Sequence, residues 1–208
     1  VKRLLLAGSL VPLLLLAAGC TGSDPDSEAG PVPAGQTTGT TAFADCGTLT
    51  APLPAPTPTD TAEAAGPGEA LPALTLPCLA GDSRVAIGEL RGPAVINLWA
   101  HWCAPCRKEL PAFQRLSERT SGTLRVLGVN ARDSRSRAES IGEDFGLRFP
   151  TLFDPDDRLR VALGRNVLPI TLFVDGEGRI RHRDETGALD DAELANLVRQ
   201  HLGVAVSS

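Results

Sequence analysis

Cys103 and Cys106 are separated only by Ala104 and Pro105, in the run Trp99-Ala100-His101-Trp102-Cys103-Ala104-Pro105-Cys106-Arg107-Lys108-Glu109-Leu110-Pro111. Two thiols three residues apart lie on one face of a helical turn, near enough to close into a small ring and to open again. The reactive form of such a pair is the thiolate, which a helix N-terminus stabilises through its unpaired N–H groups and its dipole. The flanking sequence supplies that setting. Ala94 to Ala100 is an apolar run of strand length, and beyond the cysteines Leu110, Phe113 and Leu116 recur at helical spacing. Cys103, first and nearer the surface, is the predicted nucleophile, and Cys106, one turn in, the predicted resolving thiol. A static disulfide or half of a zinc site are the alternatives. A zinc site would need two more ligands, and Cys46 and Cys78 do not form a second CxxC.

The 208 residues carry five cysteines and a net charge of −5, without a basic stripe, which argues against nucleic acid as a partner. Lys2 and Arg3 precede the apolar stretch Leu4 to Ala18, which reads as an export signal and is short for a membrane span. Its ending, Leu16-Ala17-Ala18-Gly19-Cys20, resembles a bacterial lipobox, although Ala17 stands where leucine is usual. Residues 1–19 are therefore expected to be a lipoprotein signal peptide, with Cys20 lipidated and the chain held at the outer face of the cytoplasmic membrane. Four cysteines then remain, an even number that suits disulfides in an exported protein.

Residues 20–72 are dense in proline, glycine, threonine and alanine and lack apolar periodicity, the composition of an extended tether. A small apolar island around Phe43 to Leu49 is expected to dock on the folded domain. Cys46 lies in that island and Cys78 at the end of the first strand pattern. Together they are predicted to form a structural disulfide closing a loop of about 32 residues and worth about 2–4 kcal/mol, a regulatory dithiol being the alternative.

Residues 73–203 read as one domain, followed by a short tail, 204–208. Leu74 to Leu79 and Arg84 to Ile87 form a hairpin pattern. Then come a strand over 94–100, a helix over 104–119, a buried strand over 124–130 and a helix over 135–145. A short strand over 151–153 and a helix over 156–163, capped by Asp154 or Asp156, follow. A second hairpin spans 170–174 and 179–182, and a last helix runs from Asp190 or Asp191 to His201, ending at Gly203. This order predicts an α/β fold: a thioredoxin-like three-layer α/β/α sandwich with a mixed central sheet and an N-terminal β-hairpin.

The domain resembles the TlpA/ResA branch of exported thioredoxin-like thiol–disulfide oxidoreductases. The matching pieces are Leu74-Thr75-Leu76-Pro77, Leu90-Arg91-Gly92-Pro93, the Asn97 to Pro111 run around the cysteines, and Leu168-Pro169-Ile170-Thr171-Leu172-Phe173-Val174-Asp175. The resemblance implies that Pro169 is a cis-proline facing the CxxC. The carbonyl and N–H of Leu168 would then turn toward the groove, able to pair with a substrate backbone. The family often has threonine after this proline, where this chain has Ile170. The resemblance also implies that Glu109 serves the proton chemistry of the dithiol; composition alone would leave it a solvated helix residue. Asn97 stands where thioredoxins proper carry a buried acid, and it cannot exchange protons. Trp102 is expected on the substrate-facing surface and Trp99 in the core. His101 could, as an imidazolium, lower the Cys103 pKa, but strand alternation favours a surface side chain. His182 and His201 show no metal-ligand partners.

The resemblance implies a reductase of protein disulfides. Its donor would be a membrane transporter of the CcdA/DsbD kind, and apocytochrome c before haem attachment a plausible client. The redox group is the Cys103–Cys106 disulfide itself, with no metal or organic cofactor. The alternatives are an oxidase or isomerase for exported proteins, a peroxide reductase (disfavoured by the closeness of the pair), and a non-catalytic lipoprotein that only binds a partner.

Overall fold

The structure, a computed structural model, describes residues 41–51, 53 and 68–207. The signal segment, Cys20 and most of the proline-rich stretch lie outside the described residues.

The apolar runs build a six-stranded sheet. Strand β4 (Ala94–Trp99) is buried along its whole length, as are β5 (Arg125–Ala131) and β7 (Ile170–Val174). Successive side chains of a strand point to opposite faces, so complete burial means that both faces of the sheet centre are covered. Strands β1 (Glu69–Ala70), β6 (Thr151–Asp154) and β8 (Arg179–Asp184) complete the order β1-β8-β7-β4-β5-β6. The β4–β5 and β5–β6 pairs are parallel, and β7 and β8 run antiparallel to their neighbours. Helices α1 (Ala104–Arg119) and α2 (Arg135–Asp144) make the parallel crossovers. Helices α3 (Arg158–Ala162) and α4 (Asp191–Leu202) follow β6 and β8. Ahead of β4, β2 (Thr75–Pro77) and β3 (Arg84–Ala86) form the N-terminal hairpin. This is the thioredoxin-like α/β sandwich that the element order predicts.

The register sets what gathers around the cysteines. β4 pairs with β5 from Ala94 opposite Arg125 to Trp99 opposite Asn130, and with β7 from Ala94 opposite Val174 to Leu98 opposite Ile170. The C-terminal end of β4 is thereby flanked by the segment leaving β5 and by the segment entering β7. Local signals hold the helices in place. Asp190 and Glu193 form a reciprocal capping box on α4, which stops at Gly203 with φ 65°. Helix α3 is shorter than expected and starts at Arg158. Its cap comes from Asp154, whose carboxylate accepts the N–H groups of Arg158 at 3.0 Å and Leu159 at 2.8 Å.

The packed region reaches further upstream than the composition suggests. β1 pairs with β8 ahead of Ala73. The island docks as expected: Phe43 is 4% exposed, its ring 6.2 Å from that of Trp99 and 6.4 Å from that of Phe149. The same ring presses on α2 at Gly142, where a Cβ would lie 2.5 Å from it, so only glycine fits there. Cys46 and Cys78, both buried, are joined by a disulfide with Cα atoms 5.8 Å apart. Arg125 donates to the carbonyls of Arg91 at 2.8 Å and of Ala51, tying the island to the start of the sheet. Asp45 accepts the Gly47 N–H and the Ser83 hydroxyl, which hold its carboxyl below the usual range.

If the island is part of the folding unit, Phe43→Ala should cost about 3 kcal/mol, read as a lowered urea midpoint of the oxidised protein. An unchanged midpoint would mean that the contact contributes nothing to folding.

Candidate functional site

Cys103 is the N-cap of α1, with φ −82° and ψ 102°, and Pro105 occupies the first turn, where a missing N–H is no loss. Its Sγ is bonded to that of Cys106, with Cα atoms 5.2 Å apart. The Cys103 sulfur also accepts the Cys106 N–H at 3.2 Å, so a cap contact normally made by oxygen is made here by sulfur. The two sulfurs differ in access, Cys103 being 5% exposed and Cys106 fully buried. When the bond opens, negative charge on Cys103 falls on a helix N-terminus that already directs an N–H at it.

Beyond the Leu98–Ile170 pair the two chains run on to Ala100 and Leu168, so Leu168 and Pro169 lie beside the residues that lead to Cys103. The Leu168–Pro169 bond is cis. Trp102, 51% exposed on the turn into α1, and Val167, 43% exposed just ahead of Leu168, are apolar side chains open to solvent. Trp99 is in the core.

Glu109 lies one turn after Cys106 and is buried, not solvated. Its Oε1 accepts from Asn97 Nδ2 at 2.6 Å and its Oε2 accepts from the Leu189 N–H at 3.1 Å. Burial pushes its carboxyl up to about 7; the two hydrogen bonds pull the other way, and the nearby Asp184 charge adds to the rise. A group that gains and loses a proton near neutrality thus sits one turn from the buried sulfur. Asn97, unable to ionise itself, holds it there.

His101 is not a free surface residue. Its Nδ1 meets the Asp133 carboxylate, and its side chain is only 24% exposed. His182 and His201 stack at 4.0 Å, and burial together with its neighbour lowers the His201 pKa. Among the described residues, no group of three or more His, Cys, Asp or Glu side chains could hold a metal ion. Sequence reading missed Leu189 and Asp133. Leu189 acts through its backbone, which leaves no trace in residue type. Asp133 had one signal, the polar residues Asn130 and Asp133 at and just beyond the end of β5.

Comparison with known proteins agrees with this fold. A model of the AhpC/TSA family matches residues 67–183. The chain is 34% identical over 126 residues to a thiol:disulfide interchange protein DsbE of Pseudomonas fluorescens biotype C, covering 60% of this chain and 68% of the relative. It is 30% identical over 138 residues to a thiol-disulfide oxidoreductase ResA of Geobacillus thermodenitrificans, covering 65% and 75%. Its fold is similar to that of a secreted Mycobacterium tuberculosis disulfide oxidoreductase homologous to DsbE, with TM-score 0.55, 22% identity and coverage of 61% and 94%. A DsbF homologue from Corynebacterium diphtheriae superposes with TM-score 0.57 at 24% identity, covering 71% and 98%.

The raised Glu109 pKa has a signed consequence for stability. The folded protein holds this proton more tightly than the unfolded chain. The resulting stabilisation is complete below pH 4.5 and is lost as pH rises through about 7. The stability of the oxidised wild type relative to Glu109→Gln should therefore fall by about 2–3 kcal/mol between pH 4.5 and 8. Denaturant titrations of both proteins across that window check it, and parallel curves would place the Glu109 pKa near its ordinary value.

Proposed function

The chain belongs to the AhpC/TSA family and is a thiol–disulfide oxidoreductase of the DsbE/ResA type, and on that premise we propose that it reduces protein disulfides outside the cytoplasm. In the reduced enzyme the Cys103 thiolate attacks one sulfur of a client disulfide. A mixed disulfide forms and the client's other sulfur leaves as a thiolate. Cys106 gives its proton to Glu109 and attacks the Cys103 sulfur. This releases the client's second thiolate and leaves the Cys103–Cys106 disulfide. A membrane thiol donor of the CcdA/DsbD kind would return two electrons to the pair, and Glu109 would return the proton to Cys106. The Leu168 backbone, ahead of the cis bond to Pro169, would pair with the client backbone, and Trp102 would cover its apolar surface.

The observation that carries the reductive direction is the buried Glu109 one turn from Cys106. A carboxylate so close opposes ionisation of the second thiol. A reduced form whose second thiolate, that of Cys106, is poorly stabilised gives up its electrons readily, whereas strong oxidants owe their potential to a stabilised reduced form. The closeness of this relationship to DsbE and ResA also makes the CxxC of apocytochrome c a fitting client. Lipidation of Cys20 would hold the domain at the outer face of the cytoplasmic membrane. That anchor lies outside the described residues, among which no helix is long and apolar enough to cross a membrane.

The reduction potential of the pair tests this reading, with a value of about −300 to −250 mV expected and one near −120 mV marking an oxidase. Cys106→Ala should accumulate the client as a mixed disulfide through Cys103, identified by mass spectrometry. Cys103→Ala should accumulate none.

A further inference from the structure

The segment that leaves β5, Asn130 to Ser134, holds the two residues that precede Cys103, and no step of the dithiol reaction accounts for it. The Asp133 side chain is fully buried. Its Oδ2 accepts the His101 N–H at 2.7 Å and Asn130 Nδ2 at 2.9 Å, and its Oδ1 accepts the Ser134 N–H at 2.8 Å and meets His101 Nδ1. A ring nitrogen facing a carboxylate carries the hydrogen, which leaves Nε2 to accept from Arg137 Nη1 at 3.2 Å. One residue further on, Trp102 Nε1 donates to the carbonyl of Arg132 at 2.9 Å. Arg132 has φ 50°, a left-handed conformation unusual for a residue with a side chain, and such residues gather where the surroundings require them. Within the turn itself, the Cys103 N–H to Ala100 carbonyl bond at 3.1 Å is the backbone contact that spans it.

We propose that Asp133 is a positioning residue for Cys103. Through the backbone and ring of His101 it fixes the turn that delivers Cys103 to the head of α1, and so keeps the reduced sulfur aimed at the Cys106 N–H. The proposal rests on Cys103 as the attacking thiol. Two simpler roles make different predictions. A purely structural anchor would affect folding stability but not the ionisation of Cys103. A purely electrostatic carboxylate would oppose the thiolate, so its removal would make Cys103 ionise at lower pH.

The test is the pH dependence of iodoacetamide alkylation at Cys103, followed by peptide mass spectrometry. It is made in the full chain with Cys106→Ala, released from any mixed disulfide by brief mild reduction that leaves the buried Cys46–Cys78 bond closed, and then freed of reductant. The parent's own profile tests the premise, since an attacking thiol ionises below the ordinary thiol range. Adding Asp133→Asn or His101→Phe should raise the alkylation midpoint by about one pH unit and slow the reaction about three- to fivefold at pH 7. His101→Asn keeps a side-chain N–H at the position of Nδ1 and should stay within about twofold of the parent. A midpoint that is unchanged or that falls would overturn the proposal, as would His101→Asn behaving like His101→Phe. Should Asp133→Asn fail to fold, the two His101 variants decide alone, because that ring is partly exposed.

Discussion

Everything at the dithiol depends on the hydrogen bonding of β4 to two neighbours of opposite direction. Its parallel neighbour, β5, finishes at the same end of the sheet, and its antiparallel neighbour, β7, begins there. Three connections therefore meet at one edge: the turn into α1, the segment after Asn130, and Leu168 with Pro169. A sheet of uniformly parallel strands would gather only strand exits at that end. The mixed sheet brings an entry beside them, and with it backbone that is free of ladder pairing next to Cys103.

The same edge concentrates polar groups that a hydrophobic core would ordinarily exclude. Glu109 and Asp133 are both buried carboxylates, yet their surroundings differ. Asp133 accepts from several donors arranged in one turn, whereas Glu109 has one side-chain and one backbone donor and a like charge nearby. Glu109 is the one that burial pushes up to about 7, where it can exchange its proton. Of the four buried side-chain atoms without a partner among the described residues, Arg183 Nε lies on β8 and three lie on the central strands. Asn97 Oδ1, Trp99 Nε1 and Asn130 Oδ1 all lie on β4 and β5 near this edge.

Much of this was legible because the signals are local. Apolar runs bounded by turns located β4, β5 and β7. Helical spacing with Asp190 and Gly203 located α4, and two cysteines at one turn's distance located the reactive pair. Pairings between distant segments were harder to read. β1 is two residues long and gains its place only from β8, so no window of sequence identifies it. The burial of Glu109 depends on a backbone N–H from the β8–α4 connection, which residue type cannot reveal. His101 was misread for a related reason. Alternation in the strand says which way a side chain starts, but not that a carboxylate 32 residues later meets it.

The Cys46–Cys78 bond also decides how the domain responds to being pulled or cut. Tension applied through the N-terminal stretch can enter at Cys78 by the sulfur bridge, 32 positions ahead of where the backbone alone would carry it. The proline-rich stretch between the two cysteines lies off this shortcut. It is also the part of the chain where a protease could cleave one peptide bond without releasing the domain, because the bridge would still join the two halves. After such a cleavage, the covalent attachment of the domain to whatever precedes it would rest on this second, buried pair alone.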